Sequence, residues 1–149
     1  MELLEQIKKI TGVDSALGLR FSRGNLYAPM LPDGGKLIGY TDSVFFCFVE
    51  GYQDTVFAVI PRQGYGTLVY PLAYDFREFL RLVLTCGSAS AVARAVTCAR
   101  DQFSGVIASD SGKKGLEFLR NRFDLPPVAD PYGYVQTVRQ VIDCSPIRC

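Results

Sequence analysis

The stretch 69-VYPLAYDFREFLRLVLTCGSA-89 decides the fold, because it contains a strand end, a turn and a complete short helix. Asp75 is a strong helix N-cap, and Glu78 completes a capping box. Gly87 is typical of the residue that follows a helix. The apolar positions form one wide stripe, which predicts a helix packed across a sheet. The stripe consists of Phe76, Phe79, Leu80, Val83 and Leu84. The side of the helix that we expect to face solvent carries Arg77, Glu78 and Arg81.

Two apolar segments upstream have the composition of β-strands. Residues 43–49 (SVFFCFV) and 55–60 (TVFAVI) are rich in β-branched and aromatic side chains, and the EGYQD between them suits a hairpin loop. Because nearly every position is apolar, we expect central strands that are covered on part of both faces. Pro61 is expected to end the second strand, and TLVY at 67–70 to form another. These patterns predict an antiparallel meander of about four to six strands.

Segments on both sides of this sheet are expected to be largely helical. Residues 2–11 carry one apolar stripe, and Gly12 should end that helix. Leu17, Leu19 and Phe21 alternate as in a half-buried strand, and residues 23–36 resemble a long exposed loop or hairpin arm.

The pattern of apolar residues in the remainder of the chain predicts a helical tail. We expect helices from a cap at Ser88 or Ser90 to about residue 100, over residues 101–108, around LEFLRNRF at 116–123, and from Pro131 onward. Strands followed by helices predict an α+β fold. We expect a single domain over residues 1–149, with a core at 1–88 and a helical extension at 89–149.

Composition and charge exclude several classes of function. Apolar residues make up 48% and charged residues 21% of the 149 positions, as in ordinary globular domains. Residues 1–75 carry a net charge of −2 and residues 76–149 of +3, so no basic stripe for direct nucleic-acid binding is evident. Apolar runs such as Val44 to Phe48 are far too short for a membrane span, and the N-terminus does not resemble a signal peptide. We therefore expect a cytoplasmic protein without membrane contact.

Side chains for catalysis or metal binding are scarce. The chain has no histidine, which removes Ser-His-Asp and Cys-His arrangements and histidine metal ligands. The cysteines form no close pair that could start a zinc site, and we expect buried free thiols. The cysteines are Cys47, Cys86, Cys98, Cys144 and Cys149, and the last of them is expected to be exposed. The prediction is therefore no catalytic residue, no metal and no cofactor.

Acids and tyrosines near the central strands are the candidate partner-binding residues. Asp42, Glu50 and Asp54 bracket the two strands, and Tyr40 and Tyr52 lie in or beside turns. Such carboxylates are often ordinary solvated turn residues, and tyrosine also occurs simply at sheet edges. A glycosidase-type pair would need a cleft between the carboxylates. The alternative that we favour is an acidic patch, with tyrosine anchors, that faces a basic protein.

The order of elements and one motif resemble the SUKH superfamily, the group of cell-wall-regulator-like and bacterial immunity proteins. The family pattern has a strand hairpin, a final strand and a helix that begins A-x-S/D-F-x-x-F-L. The matching residues here are Ala73, Asp75, Phe76, Phe79 and Leu80. The tail FDLPPVADPYGYVQTVRQVID also resembles the C-terminal extension of some members.

The resemblance implies a non-enzymatic α+β domain that binds another protein. Many bacterial members are thought to neutralise a toxin, often a nuclease, by direct binding. Covering an active site requires a complementary surface and no catalytic residue. Two other functions stay open: a structural or regulatory module that self-associates, for example as a homodimer, and a small-molecule binder or enzyme that uses carboxylates. An exposed apolar patch would favour the former, and a deep pocket with two acids the latter.

Overall fold

A computed structural model describes residues 2–21, 34–41, 44–62, 66–97 and 113–143 of the chain. These residues form six helices and five strands. The helices are α1 (Glu2–Lys8), α2 (Val13–Leu17), α3 (Phe76–Cys86), α4 (Ala89–Thr97), α5 (Lys113–Phe123) and α6 (Pro131–Val141). The strands are β1 (Arg20–Phe21), β2 (Gly35–Tyr40), β3 (Phe45–Val49), β4 (Val56–Arg62) and β5 (Gly66–Ala73). The predicted α+β fold is confirmed.

The strands form one antiparallel meander in the order β1-β2-β3-β4-β5. The number of strands lies within the predicted range. Phe46 pairs with Ala58, and Cys47 pairs with Phe57, so successive positions of β3 and β4 alternate between the two faces.

Both faces of the central strands are buried, as predicted. Phe46 and Ala58 belong to the main hydrophobic cluster, together with the buried stripe of α3. Cys47 and Phe57 belong to a second cluster, against which Tyr52 and Ile142 pack. This double coverage explains why β3 and β4 are apolar at nearly every position.

Helix α3 has the predicted signals at both ends. Asp75 Oδ1 accepts a 2.8 Å hydrogen bond from the backbone N–H of Glu78. The Glu78 carboxylate then turns toward Arg81, at 2.6 Å, and does not close the capping box. Gly87 adopts φ 99°, and its N–H bonds to the carbonyl oxygen of Val83.

A short helix replaces the first part of the predicted strand near residue 19. Leu17 ends α2, and β1 contains only Arg20 and Phe21. Gly12 and Gly18 flank α2 with φ 79° and 64°, conformations that reverse the chain at little cost only for glycine. The apolar alternation still marks residues that are buried, since Leu17, Leu19 and Phe21 all belong to the main cluster.

Strand β4 continues past Pro61 to Arg62, so the predicted end at Pro61 is wrong. Among the described residues, the ladder between β3 and β4 reaches the Phe45–Val59 pair, whereas Pro61 pairs with Thr67 of β5. A proline has no backbone N–H to donate, so it is disfavoured in a strand that is hydrogen-bonded to neighbours on both sides. It is tolerated where the strand has a neighbour on one side only. Strand β5 is likewise longer than the predicted TLVY.

Helix starts in the tail follow their predicted caps. The backbone N–H of Ala91 donates to Ser88 Oγ at 3.1 Å, so Ser88 caps α4. Pro131 opens α6, and Asp130 Oδ1 accepts from the N–H of Gly133 at 3.2 Å. The helix expected over residues 101–108 and the loop expected at 23–36 lie largely or wholly outside the described residues. In the described ranges no single helix is long and apolar enough to cross a membrane. Helices α3 and α4 reach that length and apolar composition only together, and the chain bends by 99° between them.

The tail packs onto the same core as the sheet. Leu119, Leu125 and Val135 are buried in the main cluster with residues of α3 and the sheet. Residues 124–128, which we call the proline segment, lie against α3. Arg77 donates to the carbonyl oxygen of Asp124 at 2.6 Å, and Arg81 donates to those of Pro126 and Pro127. The side of α3 expected to face solvent is therefore partly occupied by the tail.

Candidate protein-binding site

The connection between β3 and β4 is a tight turn that presents two acids. The N–H of Tyr52 bonds to the carbonyl oxygen of Val49 at 3.1 Å, and the N–H of Thr55 bonds to that of Tyr52 at 3.2 Å. Gln53 has a positive φ of 54°. Glu50 and Asp54 are both exposed on this turn. We call residues 50–54 the acidic turn.

Tyr52 holds the acidic turn against the rest of the molecule. Its ring packs in a T-shaped arrangement with the Phe57 ring, with centroids 5.2 Å apart and planes at 82°. Its hydroxyl donates a 2.6 Å hydrogen bond to the carbonyl oxygen of Asp143, just beyond the end of α6. Because both ends of the side chain are engaged, the turn is attached to β4 and to the tail.

The acids at this end of the sheet are poised to interact with a cation. In the part of the chain that the structure describes, neither Glu50 nor Asp54 forms an ion pair. The main chain of Asp143 lies beside the turn through its bond to the Tyr52 hydroxyl. Carboxylates gathered on a fixed turn produce a negative local potential, which attracts a basic surface.

Tyr40 lies at the opposite end of the sheet. Tyr40 pairs with Phe45 at one end of the β2–β3 ladder, whereas Gly35 pairs with Val49 at the other, next to Glu50. Tyr40 is the last of the six residues of β2, so it lies roughly 17 Å along the strand from Gly35 at the usual rise per strand residue. Asp42, the remaining predicted residue, lies outside the described residues. The structure thus brings together Glu50, Tyr52 and Asp54, and it places Tyr40 elsewhere.

Asp143 was missed by sequence reasoning. It is separated from Tyr52 by 91 positions, so no local pattern connects the two residues. The only available hint was the apolar stripe of the last helix, which carries Ile142 to the second cluster and places Asp143 beside it.

The buried thiols have the character expected of core residues. Cys47 and Cys86 are buried, and neither forms a disulfide bond. Burial raises the pKa of the Cys86 thiol to about 12, so the reactive thiolate is disfavoured at neutral pH. Among the described residues, no three His, Cys, Asp or Glu side chains are grouped so that they could hold a metal ion.

No protein-family model, curated protein or solved structure matches this chain. The resemblance to the SUKH superfamily therefore rests on the order of elements, the motif and the tail of this sequence. In the structure Ala73 ends β5, Asp75 caps α3, and Phe76, Phe79 and Leu80 are buried in the main cluster.

Proposed function

We propose that this chain is a non-enzymatic protein-binding domain, and that it acts as an immunity protein that neutralises a toxin by direct binding. The acidic turn is the contact surface of this proposal. The observation that carries it is the double anchoring of Tyr52, on Phe57 and on Asp143, which fixes a turn that displays Glu50 and Asp54.

An anchored turn is suited to recognition because little conformational freedom is lost when a partner binds. Tyr52 fixes the acidic turn from within the protein, and the exposed Glu50 and Asp54 provide the contact. The negative charge accelerates encounter with a positively charged partner and suppresses binding of acidic ones.

The partner class that fits this surface is a basic toxin domain, such as a nuclease. An enzyme that grips nucleic acid needs positive charge along the phosphate backbone. Carboxylates placed over that region would compete with phosphate, and no catalytic group would be required of the inhibitor. The SUKH resemblance supports the same function, and a cytoplasmic location, where an incoming toxin would meet its target, belongs to this proposal.

The test is affinity capture with tagged protein from the native organism, followed by mass spectrometry and by an activity assay of the captured protein. We expect one toxin-like protein whose activity is suppressed by the tagged chain. Glu50→Lys and Asp54→Lys should each weaken capture about tenfold or more, because each replaces attraction with repulsion. The matched control is Glu117→Lys, at an exposed acid on α5 far along the sequence.

Each other outcome has a definite meaning. Capture that is equally sensitive to Glu117→Lys would show that overall charge, and not the acidic turn, attracts the partner. A captured toxin that is unaffected by either turn reversal would move the contact surface elsewhere. Recovery of only this chain, at the native mass of a multimer, would replace the immunity function by self-association.

A further inference from the structure

A groove of about 290 Å³ lies at the end of the sheet opposite the acidic turn. Its walls come from α2, the start of β1, the end of β2 and the first turn of α4. The lining residues that matter for its chemistry are Asp14, Ser15, Arg20, Tyr40 and Ser90.

Two glycines allow the walls to approach each other. A Cβ on Gly39 would stand 2.6 Å from the carbonyl oxygen of Arg20, so β1 can lie this close to β2 only because Gly39 has no side chain. A Cβ on Gly18 would meet the Ser88 side chain at 3.2 Å, where the turn after α2 approaches the start of α4. The backbone of β1 is further fixed by the N–H of Phe21, which donates to Asp14 Oδ2 at 3.1 Å.

Arg20 is the cation of this groove. Its guanidinium carbon lies 6.0 Å from the centroid of the Tyr40 ring, a cation–π arrangement that holds the side chain over the groove. Arg20 is exposed, and within the described residues its guanidinium forms neither a hydrogen bond nor an ion pair. A guanidinium has five N–H donors, so this one retains its full capacity for an external acceptor.

Two hydroxyl-bearing residues line the same groove as Arg20. Ser15 and Ser90 are both exposed, and in the described part of the chain neither side chain has a hydrogen-bond partner. Each can donate to an anionic oxygen. A groove lined by a guanidinium and by hydroxyl donors is a suitable environment for a small planar anion.

We propose that this groove binds a carboxylate group, with Arg20 as the bidentate partner. The guanidinium fork matches a carboxylate in plane and spacing, and the Tyr40 ring supports it from one side. A carboxylate is favoured over a phosphate dianion because the Asp14 carboxyl group lines the same groove and would repel the more highly charged ligand more strongly. This site is independent of the acidic turn, so either can fail without the other.

The same chemistry could come from an acidic side chain of a partner protein or from a free small carboxylic acid. The test uses two probes that separate these sources: the peptide acetyl-Gly-Glu-Gly-amide and sodium propionate. Backbone amide shifts of Gly18, Arg20 and Thr41 are followed by NMR during each titration at low ionic strength. The neutral peptide acetyl-Gly-Gln-Gly-amide and matched sodium chloride serve as ligand controls.

Saturable shifts that are specific to the carboxylate probes are the expected result. Arg20→Gln should weaken binding about tenfold or more, the loss typical of a charged hydrogen bond. Arg94→Gln, at an exposed arginine of α4, should leave the affinity unchanged. If Arg20→Gln does not fold, Arg20→Lys keeps the charge without the planar fork and should also weaken binding. A peptide that binds more tightly than propionate identifies a partner side chain as the source, and equal affinities identify a free acid.

Three results would overturn the carboxylate site. The first is binding of the glutamine peptide as tightly as the glutamate peptide. The second is an affinity that the Arg20 substitutions leave unchanged. The third is inorganic phosphate that binds more tightly than both carboxylate probes.

Discussion

Arg81 in α3 donates a 2.9 Å hydrogen bond from Nε to the carbonyl oxygen of Pro126, and a second, at 3.3 Å, from Nη2 to that of Pro127. A proline has no N–H, but its carbonyl oxygen remains an acceptor. The guanidinium fork therefore joins two successive carbonyl groups of the proline segment. The Glu78 carboxylate accepts from Nη1 at 2.6 Å, so the Arg81 side chain is held on both sides.

Arg81→Lys should destabilise the protein although the charge is kept. An ammonium cannot reproduce the fork that reaches both carbonyl groups, so we expect a loss of about 1–3 kcal/mol in the free energy of unfolding. Urea denaturation measures it. Arg94→Lys, on an exposed position of α4, is the matched control and should change stability by less than about 0.5 kcal/mol. Equal stabilities of the Arg81 and Arg94 variants would mean that the proline segment is held by its apolar contacts alone.

Tyr52→Phe isolates the hydroxyl group that attaches the acidic turn to the tail. The ring contact with Phe57 is kept while the bond to Asp143 is lost, so we expect a decrease of about 0.5–1.5 kcal/mol in the free energy of unfolding. Hydrogen exchange should also accelerate in the acidic turn. Tyr74→Phe is the control, since the Tyr74 side chain is 40% exposed. An exchange rate that is unchanged in the turn would show that the ring, and not the hydroxyl, fixes it.

The sheet and α3 could be predicted because local signals and burial agree there. Alternating or continuous apolar runs mark β3 and β4, and Asp75 and Gly87 mark the ends of α3 through local backbone geometry. Helix α2 could not be predicted in the same way. Its five residues are too few to show a repeated helical pattern of apolar positions, and Leu17 fits a strand pattern equally well.

The candidate sites depend on long-range contacts, and this limits what the sequence can show. Charge and turn position indicated Glu50 and Asp54, but the bond from Tyr52 to Asp143 joins residues 91 positions apart. Tyr40 was grouped with the acidic turn because it also lies in a turn-rich region. The strand register places it at the other end of the sheet, over the groove with Arg20.

Gly39→Ala should disrupt the attachment of β1. The new methyl group would meet the carbonyl oxygen of Arg20 at 2.6 Å, and a backbone atom cannot move aside as a flexible side chain would. We expect a loss of about 1–3 kcal/mol in the free energy of unfolding, as for overpacked sites. A loss of less than about 0.5 kcal/mol in Gly39→Ala would show that the crowding is relieved by small shifts of β1.

The Cys86 thiol should react slowly in the native protein. Burial raises its pKa to about 12, and only the thiolate attacks disulfide reagents. At pH 8 we expect labelling of Cys86 to be at least about a hundredfold slower in the folded protein than in urea. Peptide mapping by mass spectrometry distinguishes this site from the other cysteines. Labelling at the unfolded rate under native conditions would contradict the burial of α3 against the core.

Stability should decrease in strong alkali because of Tyr134. Burial, more than any other cause, raises the pKa of this phenol from 10 to about 12. The folded state therefore keeps the proton between pH 10 and 12, while the unfolded state loses it and is stabilised. This contribution is fully present below pH 10 and is lost as the pH rises to about 12. Cys86 acts in the same direction between pH 9 and about 12.

Tyr134→Phe removes the phenol and should reduce the loss of stability at alkaline pH. Cys86→Ala removes the part of that loss that is due to the thiol. Urea denaturation at pH 9 and pH 11 measures the contributions of the phenol and of the thiol to the loss of stability. Tyrosinate absorbance follows the ionisation of the phenol directly. The phenylalanine variant loses only the weak 3.5 Å bond from the Tyr74 N–H, so its stability at neutral pH should remain close to that of the parent. An alkaline loss as large in Tyr134→Phe as in the parent would show that the phenol ionises equally in both states, and that the contact of α6 with β5 leaves it accessible to water.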